Sequence, residues 1–264
     1  MDGRSTGEIS RTARTDFGGT ALHRNHNAGV AVQHSPQASA RSFRTLSPLN
    51  LAMKRSLDLL LASAIVIAIS PLLLVLWALI RLGSKGPAIL VQKRVGYKGR
   101  VFNFYKFRSM YVDSDDSSHR EYVKQWMRDQ SYEHRNDSVE GENGQECKVF
   151  KIVNDKRITP VGRFLRKYSL DELPQLFNVL KLDMSLVGPR PAMVYEVEKY
   201  EEEHMQRLYA PPGITGAWQV AGRNRLSFKQ MVDLDVQYIE TWSVFSDLRI
   251  LALTIPAVIR GTGH

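Results

Sequence analysis

From Leu59 to Ile80 the chain reads LLLASAIVIAISPLLLVLWALI, without one charged residue. A helix of that stretch is about 33 Å long, enough for a hydrocarbon core of roughly 30 Å. A soluble helix is a poor alternative, because no polar face exists anywhere along it. The segment is therefore expected to enter a membrane. Lys54 and Arg55 precede it, Arg81 and Lys85 follow it, and residues 81–110 hold eight Lys or Arg and no acidic residue. Both ends thus favour the cytoplasmic side, which a single crossing cannot provide. Ser70-Pro71 lies mid-segment. Proline removes a backbone donor and clashes with the carbonyl four residues back, that of Ile67, and Ser70 can offer a compensating local bond. Each half is about 16 Å long, too short to cross but suited to dipping in and returning. Re-entry is the reading we carry forward, with a kinked spanning helix as its alternative. A shorter apolar stretch, LRILALTIPAVIR at 248–260, reads as an interfacial helix or a core helix.

The remaining composition narrows the class. With 43% hydrophobic residues in 264 the chain can build a core, and a net charge of +9 calls for anionic partners or surfaces. The lone Cys147 excludes an intrachain disulfide and a cysteine zinc site, and the seven histidines show no ligand spacing. Residues 1–45 lack apolar runs and carry scattered arginines; they read as a disordered cytoplasmic tail with no secretory signal. Residues 88–110, broken at Gly96 to Gly99, read as a short basic β-hairpin, and 113–147 as a polar surface insertion with one helix around 118–134. From about 157 apolar spacing predicts helix, interrupted by the rigid turns SLVGPRP (185–191) and PPGITG (211–216), with further helices at 193–208 and 227–242. The fold class is α+β, mainly helical.

Asp171 and Glu172 are the residues most able to carry chemistry. Ser169-Leu170-Asp171-Glu172 has the form of a capping box, and a purely structural use of both acids is open on that ground alone. The surroundings point further. Arg163, Arg166 and Lys167 lie just upstream, and Pro174 places the acids near a helix start, where anions bind. Two carboxylates beside a phosphate call for a counter-ion, and Mg²⁺ suits carboxylate and phosphate oxygens. Carboxylates are also competent nucleophiles toward phosphorus. Arg190, between Pro189 and Pro191, is aimed by a stiff backbone and suits bidentate phosphate binding, though an exposed turn arginine would look the same. Arg223 in GRN and Asp235 in LDVQY are weaker candidates for contacts to substrate or metal.

Taken in order, KRSLD (54–58), SP (70–71), QKRVG (92–96), YKFRSM (105–110), SLDELPQL (169–176), DMSLVGPRP (183–191), PGITGAWQV (212–220) and LDVQY (234–238) resemble the bacterial sugar transferase family, the monotopic phosphoglycosyl transferases. The resemblance covers about residues 50–260. It implies an Asp-Glu dyad at Asp171 and Glu172 that also holds Mg²⁺. The aspartate would attack the β-phosphate of a UDP-sugar, release UMP and pass the phosphosugar to polyprenyl (undecaprenyl) phosphate. It implies phosphate contacts from Arg166 and Arg190, and a family acid at Asp235. It implies a monotopic architecture: a tail at 1–45, a re-entrant membrane helix over 46–85 turning at Ser70-Pro71, and a cytoplasmic catalytic domain over 86–264 with 113–147 as a variable insertion. Amphipathic helices would rest on the cytoplasmic leaflet of the bacterial inner membrane. Pro211 stands where relatives often carry a basic residue, and the chain reads as a compact form without extra N-terminal membrane helices.

The expected partners are a UDP-hexose (galactose or glucose), the lipid phosphate and membrane lipids, in exopolysaccharide assembly. No nucleic acid is expected, since no motif for one is present and the basic residues cluster beside the membrane segment. A homo-oligomer is compatible with all of this. A conventional glycosyltransferase, releasing UDP, is the nearest rival; a membrane-anchored nucleic-acid binder and a membrane scaffold are more distant.

Overall fold

The computed structural model describes residues 46–112, 126–127, 138–140, 146–148, 157–222 and 226–259. The tail expected at 1–45 and most of the 113–147 insertion, with its helix around 118–134, lie outside them. Helices predominate, and the strands are few and short.

The apolar segment forms α1 (Pro48–Gly83), capped at its start by the Ser47 hydroxyl. It is long and apolar enough to cross a membrane. Helical bonding continues across Pro71, so the two expected halves form one element. The carbonyl that proline deprives of its partner is satisfied locally: Ser70 Oγ donates to Ile67 O at 2.9 Å. Leu60, Ile67 and Leu74 are each about 70% exposed, so this helix presents an uncovered apolar surface.

Both ends of α1 are fastened to the rest of the protein. Near the start, Lys54 Nζ bonds Asp247 Oδ2 at 2.6 Å, Arg55 Nη1 donates to Met184 O, and Asp58 Oδ1 accepts from Leu186 N at 3.0 Å. At the finish, the last carbonyls of a helix lack partners of their own. Arg108 reaches one of them, donating Nη2 to Ile80 O at 3.4 Å, and holds the chain just beyond the helix, donating Nη2 to Ser84 O and Nη1 to Lys85 O. The basic residues flanking the apolar run therefore act at least partly as bolts.

The predicted hairpin is present as β1 (Ile89–Val95) and β2 (Val101–Phe107), antiparallel, with Arg94 opposite Phe102 and Leu90 opposite Lys106. Short strands β3 (Ser138–Glu140) and β4 (Glu146–Lys148) pair antiparallel. The helical stretch expected from 157 is divided. It gives α2 (Pro160–Lys167), a 3-10 turn at Leu170–Glu172, and α3 (Gln175–Leu180). Next come β5 (Ser185–Val187), β6 (Ala192–Met193), which extends the hairpin sheet beside β1, and α4 (Val194–Val197).

The helix expected over 193–208 is likewise not continuous. After α4 come α5 (Glu202–Met205) and a 3-10 turn at Gln206–Tyr209. Glu201 is extended between the pieces, and Tyr200 and Arg207 both turn inward to bond each other. β7 (Gly213–Thr215) runs parallel to β5, followed by α6 (Ala217–Ala221), α7 (Phe228–Glu240) and α8 (Val244–Ile259). On α8, Asp247 and Ile250 face inward, while Phe245, Leu248, Leu253 and Ile255 are exposed. The central apolar cluster joins Ala62 of α1 to Phe104, Leu176, Val179, Met184 and Leu186. It packs α1, the hairpin, α3 and β5 around one another.

Candidate active site

The two rigid turns predicted from proline and glycine are locked together, backbone against backbone. Ser185 N donates to Pro212 O, Gly188 N to Thr215 O and Gly213 N to Pro189 O, each at 2.8 Å. No side chain fits there: a Cβ on Gly213 would lie 2.1 Å from Gly188 N. Glycine is needed for this close approach, and the prolines stiffen what it joins. Arg190 projects from the resulting platform.

The dyad approaches from the other side. Ser169 sits in the left-handed region (φ +54°) and starts the 3-10 turn that carries Asp171 and Glu172. The capping-box geometry is not formed: Ser169 makes no side-chain cap, and Glu172 Oε1 instead accepts from Arg190 Nη1 at 2.9 Å. Nor does a long helix point its dipole at the acids, since they precede the six-residue α3. Cations supply the field. Strand alternation sets Lys106 on the same face as Phe102 and Phe104, with Arg94 across from Phe102. Arg94 is buried, its guanidinium 5.0 Å from the Phe104 ring centre and Nη1 bonded to Pro191 O.

The two acids come out differently. Asp171 is 6% exposed and accepts no hydrogen bond among the described residues. Burial raises its pKa, the neighbouring Glu172 charge adds to this, and Lys106, Arg166 and Arg190 pull the other way without prevailing. For Glu172 burial also acts upward, yet Arg190, by charge and by hydrogen bond, with Lys106 and Arg94, brings it below the usual range. Lys106 is lowered to about 8, first by burial and then by Arg94, Arg166 and Arg190, with Asp171 opposing. The site thus holds one carboxylate tied to an arginine and one left untied in a cationic shell.

Of the residues singled out from sequence, Asp171, Glu172, Arg166 and Arg190 come together in this cluster. Asp235 does not join them. It is fully buried, bonded through Oδ2 to Arg207 Nε at 2.7 Å, and reaches the cluster only through Arg207. In this position it bonds an arginine and neither of the two acids. Arg223 lies outside the described residues. Ser70 and Pro71 are on α1. Sequence reasoning missed Arg94, Lys106 and Arg207. A signal existed for the first two, since a charge at every second position from Phe102 and Phe104, or opposite them, faces inward.

A profile of the bacterial sugar transferase family matches residues 49–261. The chain belongs to that family. Among curated members, this chain is 48% identical over 179 residues to the galactosyl transferase CpsE of Streptococcus agalactiae, covering 67% of this chain and 36% of that one. It is 44% identical over 211 residues to an undecaprenyl-phosphate galactose phosphotransferase of Salmonella typhimurium, covering 80% and 41%. It is 38% identical over 217 residues to the exopolysaccharide production protein ExoY of Rhizobium meliloti, covering 82% and 89%. The chain therefore spans about two fifths of the first two relatives and most of the third.

Proposed function

We propose that this sugar transferase moves a sugar-1-phosphate from a UDP-hexose to undecaprenyl phosphate and releases UMP, in exopolysaccharide assembly. Galactose is the leading donor sugar, from the names of two relatives, with glucose next, from the name of another, an undecaprenyl-phosphate glucose phosphotransferase. The observation that carries the reading is the untied carboxylate of Asp171 inside a shell of cations, beside a Glu172 already engaged by Arg190.

Asp171 attacks the β-phosphorus of the donor, the bond from phosphorus to the UMP oxygen breaks, and the phosphosugar is held as an acyl phosphate. A phosphate oxygen of the lipid then attacks the same phosphorus and the Asp171 carboxylate leaves. Arg190, Arg166 and Lys106 meet the negative charge gathered on phosphorus. Glu172 holds the Arg190 guanidinium in place. The donor set also fits Mg²⁺, because the turn offers hard oxygens from Asp171 and from the Glu172 oxygen not bonded to Arg190. Bound there, Mg²⁺ would neutralise charge on the donor diphosphate.

The membrane arrangement follows from α1. Residues near both of its ends bond the remainder of the protein, Lys54 to Asp247 and Ile80 to Arg108. This favours re-entry at Ser70-Pro71 over a crossing. The exposed apolar faces of α1 and α8 would lie in the cytoplasmic leaflet of the inner membrane, with the acids near headgroup level, where a lipid phosphate stays.

Two experiments check this. Purified protein given labelled UDP-galactose without lipid acceptor is expected to release about one UMP per chain in a burst and to retain the sugar label. UDP as the product would sink the proposal. With acceptor present, turnover is expected to fall as pH rises through about 8, where Lys106 loses its proton. Lys106→Arg, charged throughout, should remove that limb. A profile flat from about pH 7 to 9.5 would deny Lys106 a role as a cation.

A further inference from the structure

The turn that carries Arg190 is held from beneath at three successive carbonyls. Pro189 O accepts from Gly213 N at 2.8 Å, Arg190 O from Arg207 Nη2 at 3.4 Å, and Pro191 O from Arg94 Nη1 at 3.0 Å. Arg207 is the most elaborately built of these supports. It is buried on the 3-10 turn Gln206–Tyr209, and every nitrogen of its guanidinium is used: Nε on Asp235 Oδ2 at 2.7 Å, Nη1 on the Tyr200 hydroxyl at 2.8 Å, Nη2 on Arg190 O. A planar fork fixed at three points has one orientation.

Stability alone is a poor reason for such a device. A buried ion pair roughly breaks even against apolar residues of similar volume, because both charges lose their hydration. This one is less than fully satisfied, since Asp235 Oδ1 is buried without a hydrogen-bond partner among the described residues. What the pair supplies is direction. It ends on the main chain of the residue whose side chain holds Glu172.

We propose that Arg207, oriented by Asp235 and Tyr200, is a positioning residue for phosphoryl transfer, setting through the Arg190 carbonyl where the Arg190 guanidinium meets Glu172 and the donor phosphate. The inference rests on the function proposed above. It assigns Asp235 to orienting an arginine, with no contact to substrate. A small displacement of a phosphate-binding group is felt mainly in the chemical step, whereas loss of a uniform contact is felt in KM.

The full-length protein with UDP-galactose and undecaprenyl phosphate provides the test, scored as UMP release and thermal midpoint. In the double variant Arg207→Met, Asp235→Leu the pair is replaced by apolar bulk. It should melt within a few degrees of wild type and lose about a hundredfold in kcat, with KM for the donor within about threefold. Tyr200→Phe keeps the ion pair and frees one nitrogen; it should keep the wild-type midpoint and lose about tenfold in kcat. A folded double variant with wild-type kcat, or one altered only in KM, overturns the proposal. Should the double variant fail to fold, Tyr200→Phe at wild-type kcat overturns it. Wild-type protein that releases no UMP overturns the function proposal itself, a distinct result from active wild type matched by active variants.

Discussion

Asp171→Asn is expected to lose at least about 10⁴ in turnover and yet to melt no lower than wild type. The two halves of this expectation have one cause. Burial and the Glu172 charge raise the Asp171 pKa in the folded state. A carboxyl group raised on folding favours the fold fully while protonated, below its unfolded pKa. It loses that contribution as pH rises through the folded value. Once ionised, the carboxylate is therefore a burden on the fold, accepting no hydrogen bond among the described residues. An amide of the same size and shape removes the charge, and with it the nucleophile. UMP release and a thermal melt on the same preparation decide the matter. Residual turnover within tenfold of wild type would remove Asp171 from the chemistry. A melting point several degrees lower would show that its charge serves the fold instead.

The chain made some of this architecture plain and hid the rest for physical reasons. Local signals were legible. An uncharged apolar run of membrane length, glycines splitting a β-rich stretch, and prolines beside glycines each act within a few residues, and α1, the β1–β2 hairpin and the two rigid turns are found where those signals stand. Helix continuity was misjudged where long-range bonds overrode spacing. Ser169 takes a left-handed turn that brings the acids to Arg190, and Tyr200 and Arg207 leave the 193–208 helix to bond inside. Site residues on the dyad turn and the Arg190 platform were readable because the motif carries them together. Lys106 and Arg94 enter from a hairpin more than sixty residues away in sequence, and only its alternation hinted at their direction. Arg207 carried no local sign at all, since its partners lie in three other segments.

Lys54→Met should be the most destabilising single change at the membrane helix. Lys54 is 1% exposed although it is a lysine near the start of an apolar helix, and its ammonium meets a fully enclosed carboxylate. That carboxylate, on Asp247, also accepts from the Tyr238 hydroxyl at 2.7 Å and from Trp242 Nε1 at 3.2 Å, and Lys54 Nζ lies 6.0 Å from both ring centres. Methionine matches the stem but leaves Asp247 as a buried charge without its counter-charge. Breaking a buried pair from one side costs about 3–5 kcal/mol, roughly 6–20 °C in melting point for a body of this size. Lys85→Met, at an exposed position, should stay within about 0.5 kcal/mol of wild type. Activity should fall along with stability. Arg55 and Asp58, on the same face of α1, bond Met184 O just before β5 and Leu186 N within it, the strand that leads to Arg190, so loosening the first turns of α1 also loosens the phosphate platform. Thermal melts in one detergent, with UMP release measured below the lower midpoint, separate the outcomes. Equal midpoints for Lys54→Met and wild type would show that α1 is not held by this pair. A lowered midpoint with full turnover would show that the bolts at the membrane helix and the site at Arg190 are mechanically independent.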